Sequence, residues 1–127
     1  MGKAGHREQI LWTEYVSNNM EETNNFLQEM FGWKVFSKSE KEVYLMSDET
    51  PVMNISQRDK EMEREGVPPH VKNYVAVADY DKSLSLALKR GAKLIHEAVV
   101  PDYCKLGVLK IPGDLFLAIV QYFKGHP

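Results

Sequence analysis

The chain has 127 residues, 16 basic and 18 acidic side chains, a formal net charge of -2 and 43% apolar residues. That length suits one compact domain with a real core, and the near-neutral charge gives no electrostatic reason for a nucleic-acid or anionic-membrane partner. A single cysteine, Cys104, excludes an internal disulfide and fits a reducing, cytoplasmic setting, and no apolar run approaches the ~20 residues of a membrane span.

Met1–Glu8 is polar, lacks the apolar centre of a signal peptide and reads as a loose leader. Leu11–Ser17 alternates as a first strand, with Trp12, Glu14 and Val16 on one face and Leu11, Thr13 and Tyr15 on the other. Asn19 is a good N-cap for a helix over Met20–Phe31, with Glu22 at the capping-box position. Thr23, Phe26, Leu27 and Met30 form its expected inward stripe, and Gly32 stops it. Strands follow at Trp33–Ser37, Val43–Met46 and Val52–Ser56. The charged run Gln57–Pro69 reads as a solvated linker, closed by Pro68-Pro69. A further strand, Val71–Val77, leads to a second helix over Tyr80–Arg90, capped by Asp79 or Asp81. Its expected inward stripe is Leu84, Ala87 and Leu88, and Gly91 ends it. Strands at Lys93–Glu97, Gly107–Ile111 and Leu115–Gln121 complete the chain, the last two joined by the turn Pro112-Gly113-Asp114.

The order is thus βαβββ twice over. The strand, capped helix and glycine stop around Asn19–Gly32 return around Asp79–Gly91. Module one spans about 9–56, the linker 57–69 and module two about 70–122. Aligning Asn19 with Asp79 makes Trp12 the counterpart of Lys72, and Glu14 the counterpart of Tyr74. A repeat of this kind predicts pseudo-twofold symmetry and a ligand cleft between the halves.

The ordered set Trp12-Thr-Glu14, Phe26-Leu-Gln-Glu-Met-Phe-Gly32-Trp33, Val67-Pro-Pro-His70, Tyr74-Val-Ala-Val-Ala-Asp79-Tyr-Asp81, Arg90-Gly-Ala92 and Gly113-Asp-Leu-Phe116 resembles the vicinal oxygen chelate superfamily. That group includes glyoxalase I, bleomycin-resistance proteins and extradiol dioxygenases. The resemblance covers nearly the whole chain. It implies an α+β fold, with two βαβββ modules forming an eight-stranded cup-shaped mixed sheet and helices outside. It also implies, in metal-using members, one ligand on the first and one on the last strand of each module. Those positions fall at Trp12 and Lys72, within Met53–Ile55 (best Asn54), and at Leu117 or Ala118. Trp, Lys and Ala are not metal ligands, and Asn54 offers only a weak carbonyl.

The expectation is therefore a protein without a metal cofactor that binds or sequesters a small molecule, like the drug-binding resistance proteins, with no catalytic residue assignable. The alternative is a divalent-metal-dependent lyase, isomerase or dioxygenase with atypical ligands, for which Glu14 and His70 are the conceivable pair. The candidate ligand-binding residues are Trp12, Glu14, Met53, Asn54, Lys72, Tyr74 and Phe116. A carboxylate beside Trp12 and Val16 needs a partner, and Lys72 or Tyr74 is the expected one. The sequence leaves open whether Phe116 and Val120, or Leu117 and Ile119, face away from the helix. His96 and Glu97, as strand neighbours, should point to opposite faces. Cys104 reads as a small buried filler rather than a nucleophile, and His6 and His126 as uninformative. Open strand edges and the apolar Tyr122-Phe123 make a homodimer the expected partner state.

Overall fold

A computed structural model describes residues 9–123; Met1–Glu8, with His6, and His126 lie outside that range. The first module runs β1 (Ile10–Ser17), α1 (Met20–Phe31), β2 (Lys34–Lys38), β3 (Glu42–Ser47) and β4 (Thr50–Gln57). A short α2 (Lys60–Arg64) precedes β5 (His70–Ala76), α3 (Tyr80–Lys89), β6 (Lys93–Val100), β7 (Cys104–Ile111) and β8 (Leu115–Tyr122). The fold is α+β, and its eight strands pair in both parallel and antiparallel senses. Trp12–Val71 form one compact unit; of the other described residues, 9–11 and 72–123 form the second.

Within the first module the strand order is β2-β3-β4-β1, with β1 parallel to β4 and the other pairs antiparallel. The second repeats it as β5-β8-β7-β6, with β5 parallel to β8. Glu14 pairs with Asn54 in the first module and Tyr74 with Ala118 in the second. The expected Glu14–Tyr74 equivalence thus extends to the last strands, and Ala118 rather than Leu117 is the counterpart of Asn54. The outer strands carry the same irregularity, a register shift at Val35/Ser37 in β2 and at Leu94/His96 in β6. Bulges of this kind blunt strand edges against pairing with other chains.

Each helix is fastened to the end of its module's last strand. The Met20 amide donates to Gln57 Oε1 at 2.9 Å, and the Tyr80 amide donates to Gln121 Oε1 at 2.7 Å. Asn19 and Asp79 cap the next turn by accepting from the Glu22 and Lys82 amides, both at 3.1 Å. This anchoring fixes the rotation of α1. Met20 points inward, so the residues four and seven further on, Asn24 and Leu27, point inward too. The stripe predicted through Phe26 and Met30 is corrected: both lie outside, 60% and 58% exposed. In α3 the same geometry buries Tyr80 and half-buries Leu84 and Ala87, while Leu88 turns to solvent.

The core of the first module is Met20, Leu27, Val43, Leu45, Met53 and Ile55, between α1 and the sheet. That of the second is Tyr80, Leu109 and Ile119, with Leu84 and Ala87 of α3 against them. The run expected to be wholly a linker contains α2, because Asp59 caps it by accepting from the Met62 amide at 2.9 Å. Arg58 holds its far side by donating to the Val67 carbonyl at 2.6 Å. Strands β6 and β7 are longer than predicted. They meet at the tight turn Pro101-Asp102-Tyr103, where Asp102 takes a φ of 64°.

Candidate functional site

Alternation along β1, β3 and β4 sorts the first module's side chains onto two faces. One face carries the core under α1. The other carries Trp12, Glu14 and Val16 from β1, Glu42 and Tyr44 from β3, and Asn54 and Ser56 from β4. Tyr44 and Glu14 both pair with Asn54, so the three stand in a row across neighbouring strands; Glu42 and Val16 flank Ser56 in the next row.

A hydrogen-bond network runs through these rows. The Trp12 indole Nε1 donates to Asn54 Oδ1 at 3.0 Å. That contact fixes which way the amide faces, so Asn54 Nδ2 donates to Glu14 Oε2 at 3.1 Å and lies 3.3 Å from Ser56 Oγ. The Ser56 hydroxyl donates to the same Glu14 oxygen. Glu14 is 7% exposed and Asn54 2%. A carboxylate this deep needs donors, and two neutral ones from β4 stabilise its charge. Lys72 or Tyr74 was the expected partner; within its own module Glu14 is held by Asn54 and Ser56. At the outer side Tyr44 donates its hydroxyl to Glu42 Oε1 at 3.3 Å, and the Phe36 and Tyr44 rings lie 5.9 Å apart, tilted by 57°.

In the second module the face away from α3 is more apolar. Ile119 belongs to the core under α3, so Phe116, Ala118 and Val120 look the other way. Lys72 and Tyr74 project on alternate positions of β5, with Lys72 Nζ 5.9 Å from the centre of the Tyr74 ring. Met53 joins the core under α1 and stands on the opposite face from Asn54, so its side chain serves packing. His70 Nδ1 lies 2.8 Å from the Pro68 carbonyl oxygen. Glu97 accepts from the Tyr80 hydroxyl at 2.6 Å, which gives it a structural role and directs it to the helix side, away from His96. Burial pushes the Cys104 thiol above its ordinary range, as expected of a buried filler and opposite to what a nucleophile needs.

The residues at the positions where the resemblance places metal ligands do not fit a divalent ion. In the first module the indole of Trp12 has no lone pair to offer, and the Asn54 carbonyl oxygen, a weak neutral donor, already accepts from that indole's N–H. In the second module Lys72 brings a positive charge and Ala118 no donor. Among the described residues no three His, Cys, Asp or Glu side chains gather as a metal site would require.

No protein-family model matches the chain, and no curated protein does. Solved structures match it well. A glyoxalase/bleomycin resistance protein/dioxygenase superfamily member from Vibrio splendidus aligns with a TM-score of 0.63 at 14% identity, over 87% of this chain and 96% of that one. Methylmalonyl-CoA epimerase from Streptomyces coelicolor, in complex with 2-nitronate-propionyl-CoA, aligns with a TM-score of 0.59 at 15% identity, over 91% and 94%. The Mn(II)-bound glyoxalase from Novosphingobium aromaticivorans aligns with a TM-score of 0.60 at 12% identity, over 91% of this chain and 39% of that one. At such identities the likeness carries the fold: the chain has the vicinal oxygen chelate fold. Among the described residues no helix is long and apolar enough to cross a membrane.

Ser56 and Tyr44 are the residues of this face that sequence reasoning passed over. Both were marked by alternation, Ser56 two residues after Asn54 and Tyr44 in the middle of β3. A serine and a half-buried tyrosine are too common on strands to stand out until the register brings them beside Glu14 and Asn54.

Proposed function

We propose that this chain binds or sequesters a small organic molecule without a metal ion, on the face of the first module that carries Trp12, Glu14 and Asn54. The observation behind this reading is the Trp12–Asn54–Glu14–Ser56 network. It uses the atoms a cation would need and leaves an aromatic wall beside a fixed carboxylate. Trp12 supplies apolar contact, Glu14 anchors a polar group, and Asn54 orients the carboxylate. The two hydroxyls on this face, Ser56 and Tyr44, donate to Glu14 and Glu42, and we read both as holding the carboxylates rather than as reacting groups.

Native mass spectrometry of protein taken directly from its source, followed by a thermal-shift screen of small aromatic compounds, tests the reading. A bound compound that is lost in Trp12→Ala and in Glu14→Gln supports it. A compound that binds both variants unchanged would place the ligand elsewhere. We further propose a homodimer in a reducing, cytoplasmic setting. Exposed Phe26, Met30 and Phe31 on α1 are the apolar surface a second copy would cover, and light scattering would report one chain per particle if that is wrong.

A further inference from the structure

The charge and the rings on the first module's face away from α1 narrow the class of ligand. Glu42 and Glu14 both stand on it, two strands and two residues apart, so their backbones are separated by roughly 12 Å at a strand spacing of about 4.8 Å and a rise of about 3.4 Å per residue. Between them lie the polar but uncharged Asn54 and Ser56. The three aromatic side chains here are Trp12, Tyr44 and Phe36. Phe36 is the extra residue of the β2 register shift, and that shift is what brings its ring against Tyr44 rather than leaving it in the ladder. The two rings, tilted by 57°, make two walls of a corner, and Glu42, held by the Tyr44 hydroxyl, stands at its edge. Phe36 is exposed while Glu42 and Tyr44 are half-buried, so the corner is reachable from solvent.

Neither lysine of β2 stands in this corner. Lys38 sits on the other side of β2, where its Nζ pairs with Glu21 of α1 at 2.9 Å. Lys34 lies at the opposite end of β2, beside Met46 rather than beside Glu42. Ring faces carry negative charge density, and a carboxylate beside them adds to it, an arrangement that favours alkylated ammonium groups and repels carboxylates and phosphates.

We infer that the ligand is an organic cation, its ammonium group seated against Phe36, Tyr44 and Glu42 and its apolar body lying toward Trp12. Resting on the binding role proposed above, this adds the sign of the ligand and a corner which that role does not require. A hydrogen-bond-donating tail on the ligand would reach toward Glu14.

The test is calorimetric titration with three probes of one shape: 3-phenylpropylammonium, 3-phenylpropan-1-ol and 3-phenylpropanoate. The cation should bind at least tenfold more tightly than the carboxylate, with the alcohol between them. Glu42→Gln, which keeps an acceptor for the Tyr44 hydroxyl, should bring the cation down to the alcohol's affinity and leave the alcohol unchanged. Phe36→Ala should weaken the cation more than the alcohol. Equal binding of the three probes, or tighter binding of the carboxylate, would overturn the cationic class while leaving the binding role standing. No binding of any probe up to millimolar concentration, with circular dichroism showing a folded chain, would overturn both.

Discussion

Asn24 faces the core from α1, and among the described residues its Oδ1 has no hydrogen-bond partner. A buried polar atom without a partner costs about 1–3 kcal/mol, and leucine offers an apolar side chain of similar reach. Asn24→Leu is therefore expected to raise stability by about 1 kcal/mol, read as a higher urea midpoint at unchanged slope. A lowered midpoint would mean that a donor serves that oxygen. The residue was passed over in the sequence because the inward stripe was drawn through Phe26 and Met30, the larger apolar side chains. Glu14, in contrast, was legible: a carboxylate sharing a strand face with Trp12 and Val16 has to be held by something. Met53 was not, because assigning it and Asn54 to one site ignores the alternation that puts strand neighbours on opposite faces.

Among the elements, β7 carries the tightest constraint. Gly107 lies under the Tyr80 ring, whose Cζ and Cε2 would sit 3.1 and 3.2 Å from a β-carbon there, with the hydroxyl closer still. That contact lets Tyr80, 1% exposed at the start of α3, cross the strand and reach Glu97 on β6. Lys105 closes the other side, its Nζ 4.8 Å from the ring centre. Gly107→Ala is expected to cost about 1–3 kcal/mol through overpacking. Tyr80→Phe in that background should recover part of the loss, since it removes the atom nearest the new methyl. A double-mutant cycle measures this coupling, and purely additive effects would contradict the contact. The helix caps and glycine stops were readable because they depend on short fixed spacings. The Tyr80–Gly107–Glu97 brace was not, because it joins three elements across the sheet. The end-fastening by Gln57 and Gln121 escaped notice for the same reason, although both close their modules' last strands.

For the whole molecule, the phenols of Tyr80, buried, and Tyr122, half-buried, are expected to set the alkaline limit of stability. Burial, with the neighbouring Tyr103 hydroxyl and Cys104 adding to it, pushes Tyr122 from 10.0 up to about 12. Burial and the hydrogen bond to Glu97 push Tyr80 well above its ordinary value. Below pH 10 the folded and unfolded chains both hold these protons. Between pH 10 and about 12 the unfolded chain releases the Tyr122 proton while the folded chain keeps it, so stability falls as pH rises through that window. Thermal midpoints should hold steady up to about pH 10 and then drop, given the usual tyrosine value, with a shallower drop in Tyr122→Phe. A flat profile to pH 12 would show that these phenols titrate normally. At this scale the repeat was the most legible feature, since strand, cap and glycine stop recur in order. The contrast between a polar face away from the helix in one module and a more apolar one in the other emerged only from the register, which sets Asn54 and Ser56 against Ala118 and Val120.

In the first module Trp12, Asn54, Glu14 and Ser56 hydrogen-bond to one another, and the proposal is that no divalent ion sits among them. Elemental analysis after dialysis against Mn(II), Zn(II), Ni(II) and Fe(II), on protein purified without chelator, addresses it directly. Far less than one metal per chain is expected for every ion. One tightly held ion per chain, lost on Glu14→Gln, would contradict it.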